Sequence, residues 1–285
     1  MKTRLALATI GALVSLSASA NAAVTDATAA RRGANWLSSQ QITGVGQQAD
    51  TIVAMAATGI AKSTLRARLA ALTPAAPAYA TGPGSAGKVA LAAVAAGVNP
   101  RNVGGVNYIG RIRGAYRNGF YGTSTYDQAY AILALRAAGE PVPIMAIRRV
   151  TGARGTGGWG YKLSTGVRDD ASATGVMIQA LRAFGLTTRH SGLANATTWM
   201  VSRKNSGVGY AIDGGNRPTE ANTTAIVIAA MRSMRRTPPR TTINRLRRLQ
   251  EGDGGFRFTL AARGSRVIAS ADAVVALSGK TLPVR

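Results

Sequence analysis

Two adjacent aspartates, Asp169 and Asp170, are the arrangement in this sequence that most favours acid–base chemistry. Neighbouring carboxylates repel one another when both are ionised, so one of them can keep its proton at a higher pH than an isolated aspartate. Such a carboxyl can act as a general acid or base. Asp169 and Asp170 are therefore the candidate catalytic residues, and capping of the helix that follows them is the competing interpretation.

A second set of side chains is typical of a ligand cavity. These aromatic and acidic residues lie on loops or first turns that lead into apolar helices: Tyr126, Asp127, Trp159, Tyr161, Tyr210 and Glu220. Aromatic walls with a few polar groups are what a small-molecule pocket uses. Packing of the same aromatic rings inside their loops is the alternative.

Acidic residues recur near the predicted starts of the apolar helices, at Asp50, Asp127, Asp170, Glu220 and Asp272. A carboxylate there accepts hydrogen bonds from the free N–H groups of the first turn, which predicts N-terminal caps. If the helix starts converge at one rim, the same acids would also surround a cavity mouth.

Several kinds of chemistry are excluded by composition. The chain has no cysteine and a single histidine, His190, which we expect to be exposed and inert. Disulfides, thiolate nucleophiles and the usual zinc sites are therefore excluded. We predict neither a metal site nor a cofactor.

The elements that must position these residues form a repeat. An apolar helix recurs six times, closing in turn at Gly59, Gly97, Gly139, Gly185, Met234 and Gly279. A more polar helix is predicted before each one, over Ala29–Gln40, Ser63–Leu72, Val103–Arg113, Pro143–Val150, Gly192–Arg203 and Thr241–Gln250. Glycine–aromatic turns such as Gly157-Gly158-Trp159 separate the two helices of a unit. Repeats of this length predict tandem helix hairpins, with the apolar helix inside.

Arginines occupy one equivalent place in three of these units, near the end of the apolar helix, at Arg136, Arg182 and Arg232. A cation in the last helical turn interacts favourably with the helix dipole. We interpret the three as helix caps rather than ligand contacts.

The N-terminus and the charge indicate where the protein acts. Lys2 and Arg4 precede an apolar run over 5–16, and Ala20-Asn21-Ala22 fits a cleavage site, so we predict a signal peptide at 1–22 and a secreted or envelope-associated chain. No membrane span is expected after it. The net charge of +24 favours an anionic cell-surface polymer as partner, without predicting specific nucleic-acid binding.

These repeats resemble those of the terpenoid cyclase and protein prenyltransferase superfamily. The residues that carry the resemblance are Asn35–Gln41, Gly157–Trp159, Asp253–Phe256 and Ala173–Leu181. The resemblance implies an all-α fold: one α/α toroid of about six helix hairpins over 23–285. It also implies parallel inner helices whose N-terminal ends surround one cavity mouth.

The catalytic marks of that superfamily are largely missing. In class II cyclases the middle carboxylic acid of a D-x-D-D motif protonates the substrate, and alignment on Leu181 places Ser172 there. A shifted alignment makes Asp169 the acid, but Val167 then replaces the first aspartate. The zinc-binding cysteine of the prenyltransferases has no equivalent.

Three functions remain open from the sequence. The first is a secreted, non-catalytic toroid that binds an apolar small molecule or a partner. The second is a terpene-cyclase-like enzyme that uses Asp169 or Asp170 as its acid. The third is a lyase or hydrolase acting on an acidic polysaccharide, attracted by the positive charge, with His190 as a candidate base.

Overall fold

The computed structural model describes residues 26–164, 168–215 and 217–284. The predicted signal peptide at 1–22 and Val167 lie outside the described residues. The apolar helices are α2 (Val45–Ala57), α5 (Pro83–Ala95), α7 (Thr125–Ala137), α9 (Ala171–Phe184), α11 (Ala221–Ser233) and α13 (Arg266–Leu277). The more polar helices are α1 (26–39), α3 (Lys62–Leu72), α6 (Tyr108–Gly114), α8 (Ile144–Gly152), α10 (Ser191–Ser202) and α12 (Arg240–Arg247), and a short α4 (Ala76–Tyr79) precedes α5.

The apolar helices form a closed inner ring. Each of them contacts the next in chain order, from α2 through α5, α7, α9 and α11 to α13, and α13 contacts α2. The polar helices lie outside, where α3, α6, α10 and α12 pack on the inner helices. The α/α toroid predicted from the repeats is confirmed.

The inner helices are buried on most sides, which explains why their sequences are apolar around most of the helix. In α9, every residue from Ala171 to Leu181 is buried. The helix packs against α7 and α11 along its flanks and against α10 on its outer side. A helix enclosed in this way needs apolar or small residues around nearly its whole circumference.

A left-handed residue ends each inner helix. The closing glycines at Gly59, Gly97, Gly139, Gly185 and Gly279 all have positive φ, between +69° and +120°. In the fifth unit Met234 was expected to close the helix, but Arg235 adopts the positive φ of +56° instead. The amide after it, that of Arg236, bonds to the Met231 carbonyl at 2.9 Å, as in a glycine-closed helix end.

The repeated arginines cap helices, as predicted, and they do so between neighbours. The Arg136 Nε donates to the Ala183 carbonyl at the end of α9. The Arg182 Nε donates to the Ser233 carbonyl at the end of α11, at 2.9 Å. Arg232 donates to the Ala276 carbonyl of α13. Each arginine therefore ties the end of its own helix to the end of the next one.

The glycine–aromatic turns hold the starts of the inner helices. The Trp159 amide donates to Thr174 Oγ1 at 2.9 Å, and the Tyr210 amide donates to Thr224 Oγ1 at 3.0 Å. In the last unit the Phe256 amide donates to Ser270 Oγ at 2.8 Å. A polar side chain in an otherwise apolar helix thus fixes the turn that leads into it.

One predicted outer helix is shorter than expected. The expected helix Val103–Arg113 begins only at Tyr108. Val103 and Val106 instead close a tight turn by exchanging backbone hydrogen bonds, and both glycines between them have positive φ. Two successive residues in that conformation are incompatible with a right-handed helix.

Candidate functional site

A chamber of about 410 Å³ lies inside the ring, at the N-terminal ends of the inner helices. Every inner helix contributes to its wall, and the outward-facing mouth is bordered by Tyr161 and Ile212 from loops. This convergence agrees with the parallel arrangement that the repeats imply. Two grooves of similar volume, about 450 and 460 Å³, lie on the outer helices instead. Unlike these two grooves, the chamber is lined by side chains from all six inner helices.

A half-buried ion pair lies in the chamber wall. Lys88 Nζ on α5 is 2.7 Å from Asp50 Oδ2 on α2. Burial alone would lower the pKa of Lys88, but the neighbouring Asp50 carboxylate outweighs that effect, so the pKa is raised. The ammonium group also lies 5.1 Å from the centre of the Tyr130 ring. The lysine therefore stays charged inside the ring and is neutralised by its partner.

Asp272 on α13 lies in the same chamber without a hydrogen-bonded partner. Among the described residues none donates a hydrogen bond to its carboxyl. Burial is the main reason that the pKa of Asp272 is raised to about 7; Asp50 adds to the rise and Lys88 opposes it. This carboxyl can therefore gain or lose a proton near neutral pH.

Asp50 and Asp272 are not the N-terminal caps that the sequence predicts. α2 begins at Val45 and α13 at Arg266, so both acids lie in the second turn of their helices. By then the N–H groups are bonded within the helix and need no acceptor. Both side chains instead project into the ring.

Tyrosine rings form one wall of the chamber. The ring centres of Tyr126 and Tyr130 are 6.4 Å apart, and those of Tyr126 and Tyr161 are 6.0 Å apart. Burial raises the pKa of both Tyr126 and Tyr130 far above that of a free phenol. Their hydroxyl groups therefore remain neutral donors at physiological pH.

Hydrogen-bonded side chains brace the rim of the chamber. The Ser172 hydroxyl donates to Thr223 Oγ1 at 3.0 Å, and the Thr223 hydroxyl donates to Glu220 Oε2 at 2.7 Å. The same carboxylate oxygen accepts the Ile212 amide at 3.0 Å. Glu220, proposed for the ligand cavity, thus fixes the rim loop and does not line the chamber itself.

The carboxylates of Asp169 and Asp170 accept hydrogen bonds from backbone N–H groups. Asp169 Oδ2 accepts the amides of Gly157 and Gly158, each at 2.9 Å. Asp170 caps α9 by accepting the Ala173 amide at 2.6 Å. Burial is the main reason that the pKa of Asp170 is raised to about 6, and the charge of Asp169 contributes little. The structure places neither carboxyl on the chamber wall.

The other predicted site residues divide into two groups. Tyr126, Asp127 and Tyr161 line the chamber. Trp159 and Tyr210 are fully buried between the rings, where the indole N–H donates to the Val150 carbonyl and the phenol to the Val201 carbonyl. These two aromatic side chains anchor their loops to α8 and α10. Trp159 and Tyr210 therefore pack within their loops, the alternative to lining a ligand cavity.

Asp127 also has a capping role. Its carboxylate accepts the Ser124 hydroxyl at 2.8 Å and the Gly84 amide at 3.2 Å, while its own amide donates to Ser124. It therefore completes the capping box of α7, in which Ser124 is the N-cap, and joins the start of α5 to that of α7.

The far end of the ring is closed by the chain after α13. Leu282 reaches the ring's interior, and its amide donates to Gln179 Oε1 on α9 at 2.9 Å. Between Leu282 and the chamber lie two voids of about 30 Å³ each, bordered by Tyr130 and Asp272. Voids of that size hold roughly one water molecule. The chamber is therefore open on one side only.

Sequence reasoning missed Lys88 and Tyr130, whereas Asp50, Asp127 and Asp272 border the chamber as the alternative to capping predicts. A signal was present, because Lys88 is the one charged residue of α5 and lies in the middle of an otherwise apolar helix. An ion left in an apolar helix needs a partner or a cavity.

Two structural tests bear on partners. Over 26–164, 168–215 and 217–284, no group of three or more His, Cys, Asp or Glu side chains is placed to hold a metal ion. Within the same ranges, no helix combines the length and the apolar character required to cross a bilayer.

Comparisons with known proteins add the fold and nothing finer. No family model and no curated protein sequence matches the chain. Among solved structures it is similar to the ent-copalyl diphosphate synthase from Streptomyces platensis, with a TM-score of 0.55 and 17% identity over 82% of this chain. The match spans only 50% of that enzyme. The chain thus has the α/α-toroid fold of the terpenoid cyclases.

Proposed function

We propose that this protein is a ligand-binding toroid that holds a small molecule in its central chamber without transforming it. The observation that carries the proposal is the one-sided chamber, in which no described residue donates a hydrogen bond to Asp272. Asp272 is half-buried, so its missing hydrogen bond is unfavourable, and a ligand in the chamber that supplies the contact removes that cost.

The chamber suits a ligand with both apolar and polar parts. Its volume of about 410 Å³ lies in the range of small-molecule pockets. Ile226 and Ile268 offer apolar contacts, while Lys88, Tyr130 and Asp272 offer polar ones. Specific orientation of a small molecule needs such a combination.

Chamber binding can be tested with six-carbon probes: hexan-1-ol, hexan-1-amine and hexanoate. We expect at least one to shift the methyl NMR signals of Ile226 and Ile268, while that of Ile144, on the outer face and 52% exposed, stays unchanged. Ile226→Trp should fill the chamber and abolish binding, whereas Ile144→Trp should not. Binding that survives Ile226→Trp, or no shift with any probe, would contradict the proposal.

A second candidate is an acid–base enzyme that uses Asp272. The favouring observation is a chamber carboxyl that titrates near neutral pH, which suits proton transfer to or from oxygen or nitrogen. Protonation of an alkene, as in the cyclase hypothesis, needs a much stronger acid than Asp272, and Asp169 and Asp170 are bonded to backbone amides. Hydrolysis of a six-carbon ester such as hexyl acetate, which needs proton transfer only to and from oxygen, would establish this candidate if it is lost in Asp272→Asn but kept in Asp170→Asn.

Export and a polymer partner rest on the sequence alone. We propose that the chain is secreted and that its basic exterior binds an anionic envelope polymer. Mass analysis of the exported protein should give an N-terminus at Ala23. A polysaccharide lyase is disfavoured because three of the four charged side chains lining the chamber are carboxylates.

A further inference from the structure

Charge is segregated between the chamber and the rest of the molecule. The chain carries a net charge of +24, yet among the described residues that line the chamber Asp50, Asp127 and Asp272 are acidic and Lys88 is the one basic side chain. In a protein with 35 basic and 11 acidic residues, an acidic interior is the reverse of the overall balance. The chamber therefore discriminates by charge.

Two of the three carboxylates already have partners. Asp50 is ion-paired with Lys88 at 2.7 Å. Asp127 accepts hydrogen bonds from Ser124 and Gly84. Asp272 is left as the negative group that no described side chain or backbone amide satisfies. An anionic ligand would face this carboxylate unfavourably, and an aliphatic alcohol would offer it a single, uncharged hydrogen bond.

The tyrosine wall adds a second feature that suits a cation. Tyr126, Tyr130 and Tyr161 form a continuous set of rings with centres 6.0–6.4 Å apart. The Lys88 ammonium lies 5.1 Å from the centre of the Tyr130 ring, so this wall already accommodates one ammonium group. Ring faces attract cations, and the attraction strengthens where water is excluded.

We propose that the ligand of the chamber carries an ammonium group, which binds between the Asp272 carboxylate and the Tyr126–Tyr130 rings. The inference rests on the proposed binding function and specifies its ligand class as an amine with an apolar body. The body lies against Ile226 and Ile268, toward the mouth. The positive field of the outer surface opposes the approach of a cation, but it is screened over roughly 8 Å at physiological salt.

Binding should depend on pH through Asp272. The groups that face it are Asp50 on α2, Lys88 on α5, and Tyr126 and Tyr130 on α7. The tyrosines stay neutral and Lys88 stays charged below pH 9, so Asp272 is the group that titrates. Its ionised form attracts the ammonium, and hexan-1-amine affinity should rise between about pH 6 and pH 8.

The test is calorimetric titration at 0.15 M salt with hexan-1-amine, hexan-1-ol and hexanoate, which share one chain and differ in charge. We expect the amine to bind about tenfold or more tightly than the alcohol, and hexanoate not to bind. Asp272→Asn should remove the preference for the amine. Asp253→Asn, a change at an exposed aspartate outside the chamber, should leave it intact.

The outcomes separate the two proposals. Equal binding of the alcohol and the amine, binding of hexanoate, or an undiminished amine preference in Asp272→Asn would overturn the ammonium inference while chamber binding stands. Failure of every probe to bind the wild-type protein would overturn both. Circular dichroism of Asp272→Asn distinguishes a lost contact from a lost fold.

Discussion

At the N-terminal end of the inner helices three of the four charged side chains around the chamber are carboxylates, whereas at the C-terminal end the arginines Arg136, Arg182 and Arg232 bond to backbone carbonyls. Both placements complement the helix dipoles. The ends differ at one side chain: the three arginines bond to neighbouring helices, and so do Asp50 and Asp127, whereas no described residue donates a hydrogen bond to Asp272. The comparison separates the part of the ring that supplies stability from the part available for binding.

The largest expected effect comes from neutralising Asp272. Its pKa is raised from 3.8 to about 7 in the folded chain, so between those pH values the unfolded chain binds fewer protons and stability falls as pH rises. Asp272→Asn should therefore be more stable than the wild type at pH 8, by about 4 kcal/mol, and nearly equal to it at pH 4. Urea unfolding at both pH values measures this. A less stable variant at pH 8 would assign Asp272 a structural role instead.

Removing the partner of Lys88 should have the opposite sign. Asp50→Asn leaves a half-buried ammonium without its carboxylate and should lower the free energy of unfolding by about 2 kcal/mol. The double variant Asp50→Asn/Lys88→Met should recover most of this loss. If the double variant is no better than the single one, the cost lies in packing and not in charge.

At the other end, Arg182→Met should destabilise the ring without affecting the chamber. The variant loses the bond from Arg182 Nε to the Ser233 carbonyl, worth about 1.5 kcal/mol for a charged donor. Probe affinity should stay at the wild-type value. A change in hexan-1-amine affinity would show that the two ends are coupled.

The smallest predicted effect is a gain. Arg235 has a φ of +56° where the other units have glycine, and its side chain is exposed. Arg235→Gly should raise the free energy of unfolding by about 1 kcal/mol, because glycine adopts that conformation without strain. Gly185→Ala, at φ +120°, is the matched change and should lower it. Thermal unfolding of both variants gives the comparison.

The repeat of inner and outer helices could be predicted from local sequence signals. A closing glycine such as Gly185 and a repeated arginine such as Arg182 act within or next to their own unit, so the repeat displays them directly. The chamber was harder to predict, because Asp50 and Lys88 are 38 residues apart in the sequence and come together only through the packing of the inner ring. Asp272 was misplaced for a related reason: a helix start that is uncertain by one turn makes a cavity residue look like a cap.

The closure of one end by Leu282 makes the chamber a dead-end compartment. A ligand must enter and leave the chamber through the same opening. Tyr161 and Ile212 border this opening, and Tyr161 is 61% exposed. A ligand therefore cannot pass through the toroid. Its dissociation rate depends on the residues that border this one opening.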